Sequence, residues 1–196
     1  MRTISWGTSL GVIAFPALAR AHAAGLPASG GFAAGLAHPT AGVEHQVCML
    51  AVGLWAAQLS GVSAALVPLG FLLGAASGLA LAIHIATGSA AAVLLASTLL
   101  VLGLGLLRGR RWPPLGIVAV TAGCGLLHGH AHGSPLSAMG EAPSFAAGFL
   151  AMTALLHATG FGLALLVPPP SRLALGRVGG ALLALAGVVL LASFPH

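Results

Sequence analysis

Residues 38–45, which read His-Pro-Thr-Ala-Gly-Val-Glu-His, carry the densest chemistry in this chain. They place two imidazoles and one carboxylate at the beginning of an apolar stretch, and Glu44 is one of only two acidic residues in the sequence. Because ionisable side chains are costly at membrane depth, such a group indicates a functional site. Histidine and carboxylate are also ligands of divalent transition metals. His38, Glu44 and His45 are therefore predicted metal ligands.

Four further histidines are predicted ligands. His128, His130 and His132 form a His-x-His-x-His run, and Cys124, His128 and His132 recur at every fourth position. On a helix this spacing places Cys124, His128 and His132 on one face. His157 lies deep inside a later apolar stretch, about 21 Å from its beginning at 1.5 Å per residue.

Three more side chains are candidate ligands. Met49 follows His45 at i+4 and shares its helical face, and Cys48 lies beside it. His22 would become the first residue if a leader were cleaved after Ala21, which would join an amine to an imidazole. Met49 and Cys48 also suit plain packing, because both side chains behave as hydrophobes in a protein interior.

Each site residue also has a simpler interpretation. His157 alone would serve as a hydrogen-bonding partner between helices, and Glu44 in a first helical turn would favour the helix dipole. The run of histidines at 128–132 would suit a solvated loop, and His84 is expected at the edge of the membrane. The combination of all these groups in one chain favours metal binding.

The composition predicts a membrane protein. The chain is 58% hydrophobic and 5% charged, whereas a soluble domain averages roughly 25% charged residues. Six apolar stretches approach the length of about 20 residues that a spanning helix needs. They cover residues 40–59, 62–84, 88–107, 113–132, 143–167 and 173–194. We therefore predict an all-α polytopic domain of six transmembrane helices over residues 24–196, with the lipid bilayer as its surroundings.

The N-terminus is typical of a secretory signal peptide, which we place at residues 1–23. Arg2 is basic, residues 10–15 are apolar, and small-x-small cleavage sites follow. These sites leave the cleavage point open within residues 19–23. The alternative is a retained seventh helix, in which Arg20 would need its own explanation.

The positive charge predicts orientation and not nucleic-acid binding. The chain has seven arginines and no lysine, and five of the arginines lie in the third and fifth connections between predicted helices. Those arginines are Arg108, Arg110, Arg111, Arg172 and Arg177. By the positive-inside rule this side is cytoplasmic. Both mature termini then face outward, and every histidine lies on the outer face or is reachable from it.

A short internal echo suggests a repeat. Residues 35–38, Gly-Leu-Ala-His, resemble residues 125–128, Gly-Leu-Leu-His, in the first and fourth predicted helices. Those helices run in opposite directions, as in a three-plus-three inverted repeat.

Taken together, these residues resemble a known family. Residues 38–45, continuing through Met49 into residues 51–58, are similar to the first-helix signature of the HupE/UreJ family. The likeness extends to residues 128–133 and 155–160, so it covers nearly the whole mature chain. The family usually has Asp where this chain has Glu44, and an apolar residue at Cys48.

The resemblance implies a small bacterial inner-membrane protein that serves a nickel hydrogenase or urease. It implies a nickel permease, which with the orientation from the arginines would move Ni²⁺ from periplasm to cytoplasm and leave both mature termini periplasmic. The metal is then a transported substrate, with no tightly bound cofactor and no enzymatic activity. Lysine is absent, so the chain holds no Walker A motif and does not hydrolyse ATP itself.

Three alternatives remain open at this point. The same architecture would suit Co²⁺, copper or Zn²⁺, because affinity follows the metal more than the site. An intramembrane metallohydrolase would use Glu44 as general base on a metal-bound water. A membrane cytochrome would hold haem iron between His45 and His128. A homo-oligomer is compatible with all of them.

Overall fold

The computed structural model describes residues 31–85, 90–133 and 141–194. The helices are α1 (Phe32–Ala37), α2 (Val43–Ala56), α3 (Val62–Ala82), α4 (Ala90–Arg108), α5 (Pro114–Gly133), α6 (Ala142–Leu165) and α7 (Pro169–Ser193). Short 3₁₀ turns occupy His38–Thr40 and Gly109–Arg111. The described residues contain no strand, which confirms the all-α prediction. The predicted signal peptide and His22 lie outside the described residues.

Five helices, α3 to α7, are long and apolar enough to cross a membrane. They contain 19 to 25 residues, close to the roughly 20 residues that a bilayer core requires. Each begins and ends within a few residues of a predicted span, because a spanning helix needs little beyond the length and hydropathy that the sequence shows directly. Multiple membrane-spanning helices are thus a property of this chain.

The first predicted span, residues 40–59, is not one continuous helix. Its regular part is α2, whose 14 residues extend for only about 21 Å, and α1 precedes it after a break. The break occurs at Pro39, which lies in the 3₁₀ turn, and at Gly42, whose backbone is extended. Gln46 donates a hydrogen bond from Nε2 to the carbonyl oxygen of Thr40 at 2.9 Å. The count of six spanning helices therefore stays a prediction.

The helices associate as the pair α3 with α5, the pair α4 with α7, and the pair α2 with α6, to which α1 adds on α6. Glycine sets the close approach in each pair, as is common between helices in lipid. A Cβ added at Gly74 would lie 2.1 Å from the carbonyl oxygen of Ala122, on α5. A Cβ at Gly53 would lie 2.0 Å from the carbonyl oxygen of His157, on α6.

The two ends of the bundle differ in chemistry. At one end lie the α2–α3 turn, the Gly109–Arg111 turn and the α6–α7 turn, and we name it the arginine end. There Arg172 donates from Nε to the carbonyl oxygen of Val167 at 2.9 Å, and a cation near a helix C-terminus is favourable. Arg108 lies 5.4 Å from the ring centroid of Trp112. The opposite end, which contains His38 and His132, is the histidine end.

Candidate metal site

Three buried histidines converge near the histidine end. His45, His128 and His132 each offer one ring nitrogen, and these nitrogens all lie within 4.8 Å of one another. The three side chains are 4%, 1% and 5% exposed. His45 stands in the first turn of α2, and the other two lie one turn apart on α5. We name this group the three-histidine site.

The nitrogens of this site already lie at nearly the spacing that a metal ion needs. His45 Nε2 lies 2.5 Å from His132 Nε2. A tetrahedral ion with bonds of 2.0–2.1 Å holds its donors about 3.3 Å apart, so the two rings would separate by less than about 1 Å to admit one. Imidazole nitrogen suits nickel, copper and zinc alike.

His38 lies behind this site and not inside the group of three donors. Its Nε2 lies 2.7 Å from His132 Nδ1, so His132 has one nitrogen toward His38 and the other toward His45. A neutral imidazole donates through one nitrogen and accepts through the other, which lets His38 fix the orientation of His132.

Glu44 holds a similar place behind His45. Its Oε1 lies 3.3 Å from His45 Nδ1, and both side chains are buried. A carboxylate on the far nitrogen of a ligating histidine orients the ring and makes it a better donor. The buried negative charge also offsets part of the charge of an incoming cation. Glu44 thus contacts His45 at the ring nitrogen opposite the one that faces His132.

The break before α2 makes room for this pair. A Cβ at Gly42 would lie 2.4 Å from Glu44 Oε1 and 2.8 Å from His45 Nδ1. The backbone angles of Gly42 are open to any residue, so the lack of a side chain is what the site requires here.

Aromatic and hydroxyl side chains close the site. Phe149 lies 5.8 Å from His132 between ring centroids and 6.0 Å from His38. Thr98, from α4, lies 3.4 Å from His128 Nδ1 through its hydroxyl. Such an enclosure excludes water, which strengthens the electrostatic interactions of the site. Sequence reasoning missed both residues; only the i+4 spacing of Phe145 and Phe149 on α6 offered a signal.

The other predicted ligands lie elsewhere. His130 is half-buried on another face of α5, and His157 is buried on α6, where its Nδ1 lies 2.8 Å from the carbonyl oxygen of Met49. Met49 and Cys48 are fully buried in the hydrophobic core, and Cys48 is a free thiol. His84, which was not a predicted ligand, is exposed.

The chain is similar to known proteins. The chain matches the family model described as HupE / UreJ protein over residues 10–190. It is 40% identical over 185 residues to "Protein HupE" of Rhizobium leguminosarum bv. viciae, which covers 94% of this chain and 95% of that relative. No solved structure matches the chain.

Proposed function

The chain belongs to the HupE / UreJ protein family, and from that premise we propose that it is a Ni²⁺ uptake permease. It moves the dication across a bacterial inner membrane from periplasm to cytoplasm, where the metal serves maturation of a hydrogenase or urease. The observation that carries this proposal is the three-histidine site, with three buried donors within 4.8 Å of one another. Co²⁺, copper and Zn²⁺ are the alternative substrates, since the same donors suit them.

In this proposal the three-histidine site captures the cation. His45, His128 and His132 bind it directly, while Glu44 and His38 orient two of the rings through their far nitrogens. Support comes from the geometry, since both pairs lie within reach of a hydrogen bond or ion pair. His130 is not needed for capture, since α5 directs it away from the other donors.

The two ends of the bundle support the proposed direction of transport. The arginine end is cytoplasmic by the positive-inside rule, so the site lies nearer the periplasm. The membrane potential then drives entry, because one charge gains roughly 2.3 kcal/mol per 100 mV and a dication about 4.6. Since about 1.4 kcal/mol is a factor of ten, this gain supports roughly a thousandfold accumulation.

The pairing of the helices supports an inverted repeat, with α1 to α4 as one half and α5 to α7 as the other. Exchanging the halves replaces the pair α3 and α5 by the pair α6 and α2, and leaves α4 with α7 unchanged. The similarity between residues 35–38 and residues 125–128 agrees with this arrangement, because it relates α1 in the first half to α5 in the second. A Cβ at Gly35 would lie 2.1 Å from the carbonyl oxygen of Phe145, and one at Gly125 would lie 2.1 Å from that of Phe71.

The test is uptake of radiolabelled Ni²⁺ by the purified full chain in proteoliposomes, with an inside-negative potential. We expect uptake above that of empty vesicles, competition by Co²⁺, and no haem absorption band in the protein. His132→Ala should lower the initial rate at least tenfold, whereas the matched variant His130→Ala should keep most of it. Wild-type protein that takes up no Ni²⁺, Co²⁺, copper or Zn²⁺ would contradict the proposal.

A further inference from the structure

His157 is a buried imidazole outside the three-histidine site. It is 2% exposed and follows Phe149 on α6 by two helical turns, about 12 Å toward the arginine end. Its Nδ1 lies 2.8 Å from the carbonyl oxygen of Met49. Because a carbonyl oxygen only accepts, Nδ1 carries the proton, and the neutral ring therefore has its lone pair on Nε2.

The Nε2 atom of His157 has no hydrogen-bond partner among the described residues, although it is buried. Burying a polar atom without a partner is costly. A histidine whose Nδ1 is held by a carbonyl while its Nε2 is left open is the form in which imidazole binds metal ions. The interhelical hydrogen bond to Met49 therefore accounts for the burial of Nδ1 but not for the burial of Nε2.

His157 lines a cavity of about 630 Å³ in the half of the bundle nearer the arginine end. The cavity lies between α2, α3 and α6, and its other lining residues are apolar and mostly small, among them Gly53, Ala64 and Ala154. The cavity is open on one side, because Gly61, Ala65 and Leu69 in its lining are exposed. Its volume would hold several water molecules of roughly 30 Å³ each. His157 contributes the only ionisable group to its described lining.

Two side chains lie between this cavity and the three-histidine site. The ring of Phe71 contacts both imidazoles, with centroids 5.8 Å from His128 and 5.0 Å from His157. Thr153 is fully buried one turn before His157 on α6. His157 is therefore the next nitrogen donor on the way from the three-histidine site toward the arginine end.

We propose that Nε2 of His157 is a second, transient ligand of the transported dication, which receives the ion from the three-histidine site and delivers it into the cavity. This inference rests on the proposed permease function. One imidazole completed by water binds a metal more weakly than three imidazoles do. Conduction requires a site of this kind, since an ion must also leave.

The test compares His157→Asn with His157→Gln. In His157→Asn the amide nitrogen replaces Nδ1 and keeps the hydrogen bond to the Met49 carbonyl, but no atom remains at the position of Nε2. In His157→Gln the side-chain amide reaches the position of Nε2, but the hydrogen bond to the Met49 carbonyl is lost. We expect His157→Asn to lower the maximal rate of Ni²⁺ uptake at least tenfold, with the unfolding temperature nearly unchanged. Equilibrium dialysis with Ni²⁺ should show the three-histidine site binding within twofold of wild type. His157→Cys, which restores a metal ligand, should recover part of the rate.

Normal uptake by His157→Asn, with a destabilised His157→Gln, would overturn the inference and leave a purely structural hydrogen bond. Wild-type protein without uptake would instead contradict the permease function itself. If His157→Asn fails to fold, the inference is tested with Ala154→Phe, because this substitution narrows the cavity and leaves His157 in place. It should lower the rate at least fivefold relative to Ala151→Phe, whose position on the same helix is exposed. Equal rates for these two variants would overturn the inference as well.

Discussion

Glu44 carries the sharpest prediction at the level of single residues. Glu44→Gln removes the charge, keeps the size, and should lower Ni²⁺ uptake at least tenfold if the carboxylate polarises His45 and offsets the charge of the cation. His45→Ala should be as damaging. Glu44→Asp, which introduces the residue usual in the family, should retain substantial uptake. Initial rates in proteoliposomes with matched protein content measure all three.

If Glu44 only favours the helix dipole, a different outcome is expected. A carboxylate that only favours the dipole of α2 contributes roughly 0.3–1 kcal/mol of stability. Glu44→Gln would then unfold at a slightly lower temperature and transport normally. His84→Ala removes an exposed histidine outside the site and is therefore the control for the loss of any histidine. This variant should transport like wild type.

The candidate site could be predicted from sequence only in part. The i+4 spacing placed His128 and His132 on one face of a helix, and that placement is confirmed. The sequence cannot tell which side chains face one another, because the distance between His45 and His132 depends on how α2 packs beside α5. For the same reason Thr98 went unnoticed, since nothing in its own helix marks it as a neighbour of His128.

At the level of helices, Gly42 is predicted to matter for the site more than for the fold. Gly42→Ala introduces a Cβ 2.4 Å from Glu44 Oε1, so the carboxylate must move from His45. We expect uptake to fall at least fivefold with a small change in unfolding temperature. Gly123→Ala is the control, because a Cβ at that position of α5 has no atom within 4 Å. Wild-type uptake by Gly42→Ala would contradict the arrangement of Glu44 and His45.

Gly160 and Gly162, which are two residues apart on α6, test the packing of the helix pairs. Gly160→Ala places a Cβ 2.2 Å from the carbonyl oxygen of Leu50, on α2, whereas Gly162→Ala meets nothing within 4 Å. Overpacking against a backbone costs typically about 1–3 kcal/mol, so Gly160→Ala should lower the unfolding temperature in detergent. Gly162→Ala should leave it unchanged or raise it, since alanine is the better helix former. Equal unfolding temperatures would mean that α2 and α6 do not approach closely.

The helices themselves were largely accessible to prediction. Long apolar runs bounded by Pro, Gly or Arg predicted α3 to α7 closely, since a span needs little beyond length and hydropathy. Pro39 and Gly42 also predict a break in the first span, and the structure has the break at these two residues. Hydropathy does not show that Gly42 leaves space for Glu44 and His45, because that depends on which side chains lie beside it in the fold.

For the whole molecule, the orientation is open to a direct experiment. A reporter that is active only in the cytoplasm should be inactive when fused after His196, because the arginine end is predicted to be cytoplasmic and α7 runs away from it. The same reporter fused after Arg111 should be active. Activity after His196 would reverse the orientation and with it the direction of transport.

The three-histidine site lies between two helix pairs and not within one. His45 belongs to the pair of α2 with α6, whereas His128 and His132 belong to the pair of α3 with α5. A bound ion is therefore a bridge whose strength depends on the separation of the two pairs. A displacement of about 1 Å removes a donor from bonding distance, since these bonds are only 2.0–2.1 Å long. If one pair slides against the other, the ion is released, so the affinity of the site for metal would report the separation of the two pairs.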